Sequence, residues 1–241
     1  MNQMLKALHH ERLERRSSGV CKVFQLGPSG HSKTVLQVKI FERGGAAIGS
    51  IVWPGAKFLC AFLLDNVDLL VKGKSAVELG AGCGLLGISY SMLGGDVVIT
   101  EQDTGGLLEL IDKSVEANKE NITSAGGSAV SQCYSWGEKF DSTVLEFPDF
   151  IIGSDILYSK ECVEPLFVSI CRELIPTSNT KTALILSYRP RDTAAEKNFF
   201  DRLESDGFFI NLVKGTVVEK SDAIFVISRQ ENNNRMTQYL K

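Results

Sequence analysis

Three groups of residues in this 241-residue chain could do chemistry. The first is the run Val77-Glu78-Leu79-Gly80-Ala81-Gly82-Cys83-Gly84-Leu85-Leu86-Gly87, in which a short apolar stretch carries one acid, breaks into alternating glycines and resumes as apolar residues. A backbone this bare lets a ligand lie directly against its N–H groups. The second is Glu101, about twenty residues on, where a carboxylate can accept both hydroxyls of a ribose. The third is the D-x-x-Y pair Asp155 and Tyr158: an acid able to orient an amine, and an aromatic wall that favours an ammonium. The only histidines are His9, His10 and His31, all ahead of these groups. A histidine-dependent nucleophile triad and a histidine-rich catalytic metal site are therefore excluded, and no metal is expected.

The elements that must position these groups alternate between strand and helix. Val20–Leu26 and Thr34–Phe41 have the period of strands, and Gly27-Pro28-Ser29-Gly30 between them signals a turn, so a hairpin is expected. Trp53–Asn66 has helical spacing with Pro54 in its first turn. Strands are then expected at Ser75–Leu79, Asp96–Thr100, Ala129–Tyr134, Phe150–Gly153 and Thr182–Ser187. Helices are expected at Leu85–Leu93, Gly106–Asn118, Cys162–Leu174 and Thr193–Ser205. Phe208–Val213 and Ala223–Ser228 close the chain as strands with no helix between them, an antiparallel edge pair. The alternation implies an α/β fold: a seven-stranded, mostly parallel, Rossmann-like sheet with an antiparallel last strand, covered on both faces and preceded by the hairpin. The expected divisions are a basic, helix-prone arm over residues 1–18, the hairpin over 19–44, the sheet domain over 45–229 and a tail over 230–241.

Taken alone, Gly82-Cys83-Gly84-Leu85-Leu86-Gly87 satisfies G-x-G-x-x-G and suits a nicotinamide enzyme. Two details point elsewhere. Glu78 lies in the strand, two residues before the first glycine, where its carboxylate can reach the ammonium of a zwitterionic ligand; a dinucleotide offers no cation there. The glycines also begin at Gly80, giving the closer spacing Gly80-x-Gly82-x-Gly84. Both favour S-adenosyl-L-methionine, with its ammonium and its sulfonium.

Glu78-Leu79-Gly80-Ala81-Gly82-Cys83-Gly84 resembles motif I of the class I, seven-β-strand methyltransferases. More narrowly, the chain resembles the methyltransferase-like protein-lysine methyltransferases over about Gly45 to Arg229. Their marks occur in order: Gly49-Ser50-Ile51-Val52-Trp53-Pro54-Gly55-Ala56, Val98-Ile99-Thr100-Glu101, Ser135-Trp136-Gly137, and Ile152-Gly153-Ser154-Asp155-Ile156-Leu157-Tyr158-Ser159. The resemblance implies that Trp53 and the backbone of Gly80, Ala81 and Gly82 contact the cofactor. It implies that Glu101 holds the ribose, that Trp136 lies by the adenine and that Ser154 lines the pocket by its backbone. Asp155 and Tyr158 would shape the opening for an acceptor lysine. It further implies a protein substrate such as a chaperone or a translation elongation factor. The chain departs from the pattern at Glu101, where relatives usually carry Asp and where Asp103 follows closely, and at Cys83, where a small hydroxyl residue is common.

Each residue also has a purely structural reading. Glu78 fits a buried acid capped by backbone, Asp155 a helix cap, Trp53 and Trp136 core closure, and Cys83 a small packing residue. Two other functions stay open on the residues alone: a nicotinamide-dependent oxidoreductase on a similar sheet, and a cofactor-binding interaction module without catalysis. The net charge of -3 argues against a nucleic-acid partner, and the absence of a long apolar run against a membrane span. Six cysteines without a C-x-x-C pair argue for reduced thiols in the cytoplasm or nucleus. A monomer is expected.

Overall fold

The computed structural model describes residues 19–28, 35–45, 47–190, 193–216 and 221–230. The basic arm, the hairpin turn from Ser29 and the tail beyond Gln230 lie outside these residues.

Strands β1 (Val20–Leu26) and β2 (Leu36–Glu42) pair antiparallel, with Val20 facing Glu42 and Leu26 facing Leu36. A short turn of 3-10 helix at Ile48–Ser50 leads into α1 (Pro54–Asp65), followed by the single-turn helix α2 (Val67–Leu70). The main sheet follows: β3 (Ser75–Leu79), α3 (Leu85–Met92), β4 (Asp96–Glu101), α4 (Leu107–Ala125), β5 (Ser128–Cys133) and β6 (Phe150–Ser154). The chain continues through α5 (Lys160–Val168), β7 (Ala183–Tyr188), α6 (Thr193–Ser205), β8 (Phe209–Gly215) and β9 (Ala223–Ser228). The strand order is β5-β4-β3-β6-β7-β9-β8. The first five of these strands run parallel; β9 is antiparallel to both its neighbours and enters between β7 and β8.

The order reverses between β3 and β6, and at such a point the carboxyl ends of adjacent strands open a crevice. Both faces of the sheet are buried. Ala76 and Ile152 point into the layer under α1 and α3, whereas Val77, Leu79 and Ile151 point into the layer under α5 and α6. Strand alternation thus sends Glu78 to the same side as Ala76.

Most elements lie within two residues of their expected ends, and two helices depart in length or in kind. Helix α4 runs on from Asn118 to Ala125 because Ile122 still packs on the buried face, and Gly126, at φ 79°, ends it. The helix expected over Cys162–Leu174 begins at Lys160 and widens into a π-helical turn over Ser169–Leu174. There Ser169 Oγ accepts the Tyr134 hydroxyl and the Gly137 N–H, both at 2.8 Å.

The ribbon is held by a helix and not by the sheet. Lys39 N–H donates to Asn118 Oδ1 at 3.1 Å, Asn118 Nδ2 donates back to the Lys39 carbonyl at 2.7 Å, and Phe41 N–H donates to Ser114 Oγ at 2.9 Å. The side chains of α4 stand in for a neighbouring strand along β2.

Candidate active site

The glycine turn joins the end of β3 to α3. Gly80 and Gly82 have φ of 61° and 58°, backbone that residues with a Cβ rarely adopt. Each is also crowded. A Cβ on Gly80 would lie 2.6 Å from the Trp136 ring, and one on Gly82 would lie 2.7 Å from the Gly49 carbonyl oxygen. The turn is therefore closed from above by Trp136 and from the side by the Ile48–Ser50 segment.

Glu101, at the end of β4, reaches across to this turn. Its Oε2 accepts the Gly82 N–H at 2.7 Å and its Oε1 accepts the Gln102 N–H at 2.9 Å. Burial raises its carboxyl above the ordinary range, and the two N–H groups pull it back down. Asp103, the alternative acid, is exposed.

Asp155 lies just past β6, buried, with φ 56°, the only described residue besides glycine in the left-handed region. Its Oδ2 accepts the Gly55 N–H at 2.8 Å, in the first turn of α1. That turn supplies backbone donors and the positive end of the helix dipole to a carboxylate. Tyr158 follows, its ring centroid 6.4 Å from that of Trp136. Burial of its hydroxyl, with Cys162 beside it, pushes its pKa up to about 12, so it stays protonated and able to donate. Trp53 immediately precedes α1 and donates from Nε1 to the Ile48 carbonyl at 2.9 Å.

These residues enclose one cavity of about 820 Å³, within the size range of small-molecule sites. Trp53, Gly80, Ala81, Gly82, Glu101, Trp136, Ser154, Asp155 and Tyr158 all line it. Glu78 does not. It is 1% exposed on the helix side of the sheet, and its Oε2 accepts the Gly87 N–H in the first turn of α3 at 2.9 Å. Burial raises its carboxyl well above the ordinary range, against the opposing pull of the Gly87 N–H. Counting alternate residues along Ala76-Val77-Glu78-Leu79 foreshadows this placement. Cys83 is buried, donates to the Gly49 carbonyl at 3.3 Å and has a thiol pushed up to about 12 by burial, which makes it a poor nucleophile.

Sequence reasoning did not single out Glu161, Cys162 or Ile48, which also line the cavity. The charged residues of the described lining are Glu101, Asp155 and Glu161, with no lysine, arginine or histidine among them. A pyrophosphate would find no cation here. A cationic ligand finds three carboxyl groups, four aromatic side chains and a thin backbone wall, so the donor set fits a sulfonium-bearing adenosine.

A family model described as lysine methyltransferase matches residues 32–206. The chain belongs to the lysine methyltransferase family. Among curated members, EEF1A lysine methyltransferase 3 of Xenopus tropicalis is 32% identical over 201 residues, spanning 81% of this chain and 83% of its own. Protein N-lysine methyltransferase METTL21A of Danio rerio is 37% identical over 146 residues, spanning 60% of this chain and 62% of its own. Among solved structures, the T. thermophilus 16S rRNA methyltransferase RsmC, in complex with AdoMet and guanosine, matches with a TM-score of 0.54 at 17% identity. That match spans 87% of this chain and 51% of RsmC. A methyltransferase from Pyrococcus furiosus matches with a TM-score of 0.51 at 14% identity, over 80% of this chain and 89% of its own. These two likenesses show the fold. Membership in the lysine methyltransferase family sets aside the nicotinamide reading and makes this protein a methyl-transferring enzyme.

Proposed function

We propose that the cavity holds S-adenosyl-L-methionine on the Gly80–Gly82 side and receives the lysine side chain of a protein on the Asp155–Tyr158 side. The observation that carries this reading is the charge of the lining: three acids and no described base, with every expected site residue except Glu78 on one wall or another. Glu101 offers the lone pairs left by its two backbone donors to the ribose hydroxyls. Trp136 and Trp53 supply the flat apolar faces an adenosine needs. Glu78 serves from behind, fixing the first turn of α3 and with it the glycine turn.

When bound, the cofactor supplies an activated methyl on a sulfonium whose charge favours the neutral form of a nearby amine. What the chain adds is alignment. A free lysine amine has a pKa near ~10.4 and must arrive or become neutral. Asp155, steadied by the N-terminus of α1, accepts a hydrogen bond from the amine and sets its lone-pair direction. Tyr158 walls the channel and excludes water.

The substrate we favour is a translation elongation factor, because the relative that spans most of this chain is named for EEF1A. We place the reaction in the cytoplasm on the strength of six free cysteines, four of them buried. No described helix is long and apolar enough to cross a membrane. The test is to incubate lysates of cells lacking this enzyme with purified protein and labelled cofactor, then to locate the mark by mass spectrometry. A trimmed list of lysine-methylated proteins supports the reading; a mark on nucleic acid or on another side chain overturns it.

A further inference from the structure

Asp155 departs from ordinary backbone, and three hydrogen bonds close a ring through it. Its N–H donates to the Ser187 carbonyl at 2.9 Å. Its Oδ2 accepts the Gly55 N–H at 2.8 Å. Ser187 Oγ then donates to the Gly55 carbonyl at 2.8 Å, closing the circuit. Ser187 is fully buried in β7 and does not line the cavity. Position 55 tolerates no side chain, because a Cβ there would overlap Asp155 Oδ2. The peptide units flanking Gly55 are thus held from both sides, by Ser187 on the carbonyl and by Asp155 on the N–H.

We propose that Ser187 is a positioning residue for methyl transfer, aiming the Asp155 carboxylate through Gly55. This rests on the reading above, in which Asp155 orients the acceptor amine. Its chemistry separates the role from one in stability. Alanine at 187 leaves no buried donor orphaned, and the Gly55 carbonyl lies in the first turn of α1, where the helix itself provides a donor four residues on. What alanine removes is the second bond, which fixes the direction of that peptide. Small errors of aim are costly in displacement chemistry.

The experiment is a double-mutant cycle assayed on the protein that the lysate labelling identifies, with Ser187→Ala measured alone and in an Asp155→Asn background. Ser187→Ala is expected to lower kcat about tenfold with cofactor affinity unchanged within about twofold. In the Asp155→Asn background the same change is expected to cost less than about twofold. Ser187→Thr keeps the hydroxyl in a residue suited to a strand and is expected to restore kcat. A crystal structure of Ser187→Ala is expected to show Asp155 Oδ2 displaced from the Gly55 N–H, a readout that needs no substrate. Equal losses in both backgrounds, or an Asp155 that stays in place, would overturn the proposal. A wild-type enzyme that methylates no lysine sinks the reading beneath it instead.

Discussion

Asp155 accepts the backbone N–H of Gly55 across 100 residues of sequence. The bond ties one wall of the cavity to the helix whose preceding residue, Trp53, lines another. Replacing Asp155 therefore removes both the group proposed to face the amine and a cap on α1. Asp155→Ala is expected to lower kcat about a hundredfold while cofactor affinity, read by calorimetry, changes little. A matching collapse of cofactor binding would show that the cap, and not the amine contact, is what matters.

Glu101 separates cofactor binding from chemistry. Glu101→Ala deletes an acceptor that serves both Gly82 and the proposed ribose. Affinity for S-adenosyl-L-methionine is expected to fall about tenfold or more, with the acceptor KM unmoved. Glu101→Asp, which keeps a carboxylate on a shorter stem, is expected to retain binding. Isothermal titration of the two variants side by side decides between a ribose ligand and a mere brace for the turn.

Glu78 predicts a pH dependence. Its folded carboxyl is raised, with burial the leading cause, whereas in the unfolded chain a glutamate ionises near ~4.3. Above that pH the folded protein holds a proton that the unfolded chain has released. Its contribution to stability is fully present below about pH 4.3 and is lost as pH rises toward the folded value. Glu78→Gln keeps an acceptor for Gly87 and removes the titration. Urea midpoints from pH 5 to 8 are expected to fall less steeply for the variant; parallel slopes would show that Glu78 is ionised in the fold.

Asn118 predicts a stability effect remote from the site. Asn118→Ala removes two bonds to Lys39 and leaves its part-buried N–H and carbonyl without these partners. A loss of about 2 kcal/mol is expected in chemical denaturation. Hydrogen exchange along Leu36–Glu42 should rise before that of β3; unchanged exchange there would mean the ribbon is held by its apolar contacts alone.

The sheet was legible because its signals are local. Ser75–Leu79, Thr193–Ser205 and Ala223–Ser228 were expected and found with the same limits, since apolar period and punctuation by glycine need no distant partner. The last strand's antiparallel sense was also readable, from the missing helix between it and Phe208–Val213. Less legible was anything set by long-range approach. Gly55 reads as an ordinary second residue of a helix until Asp155 is seen against it, and Ser187 reads as a small polar residue ending a strand. Glu78 was given a cofactor role by proximity to the glycines, but direction along a strand is a matter of parity, and parity turns it toward α3. The rim residue Ile48 carried no sequence signal because its turn is shaped by contacts with Gly82 and the Trp53 ring.

The two-way clasp between Asn118 and Lys39 has a bearing on where this enzyme can be cut. From the end of β2, Glu42 Oε1 accepts the Val52 N–H at 2.7 Å and the Arg43 N–H donates to the Ser50 carbonyl at 2.9 Å. The Ile48–Ser50 segment, which walls the glycine turn, thus hangs from the ribbon as a shutter hangs from its frame. A catalytic fragment beginning at Gly45 would keep every motif residue and lose the frame. Such a fragment would leave the glycine turn open to solvent along one flank, so in the proposed reading the first strands belong to the vessel in which the methyl group is kept dry.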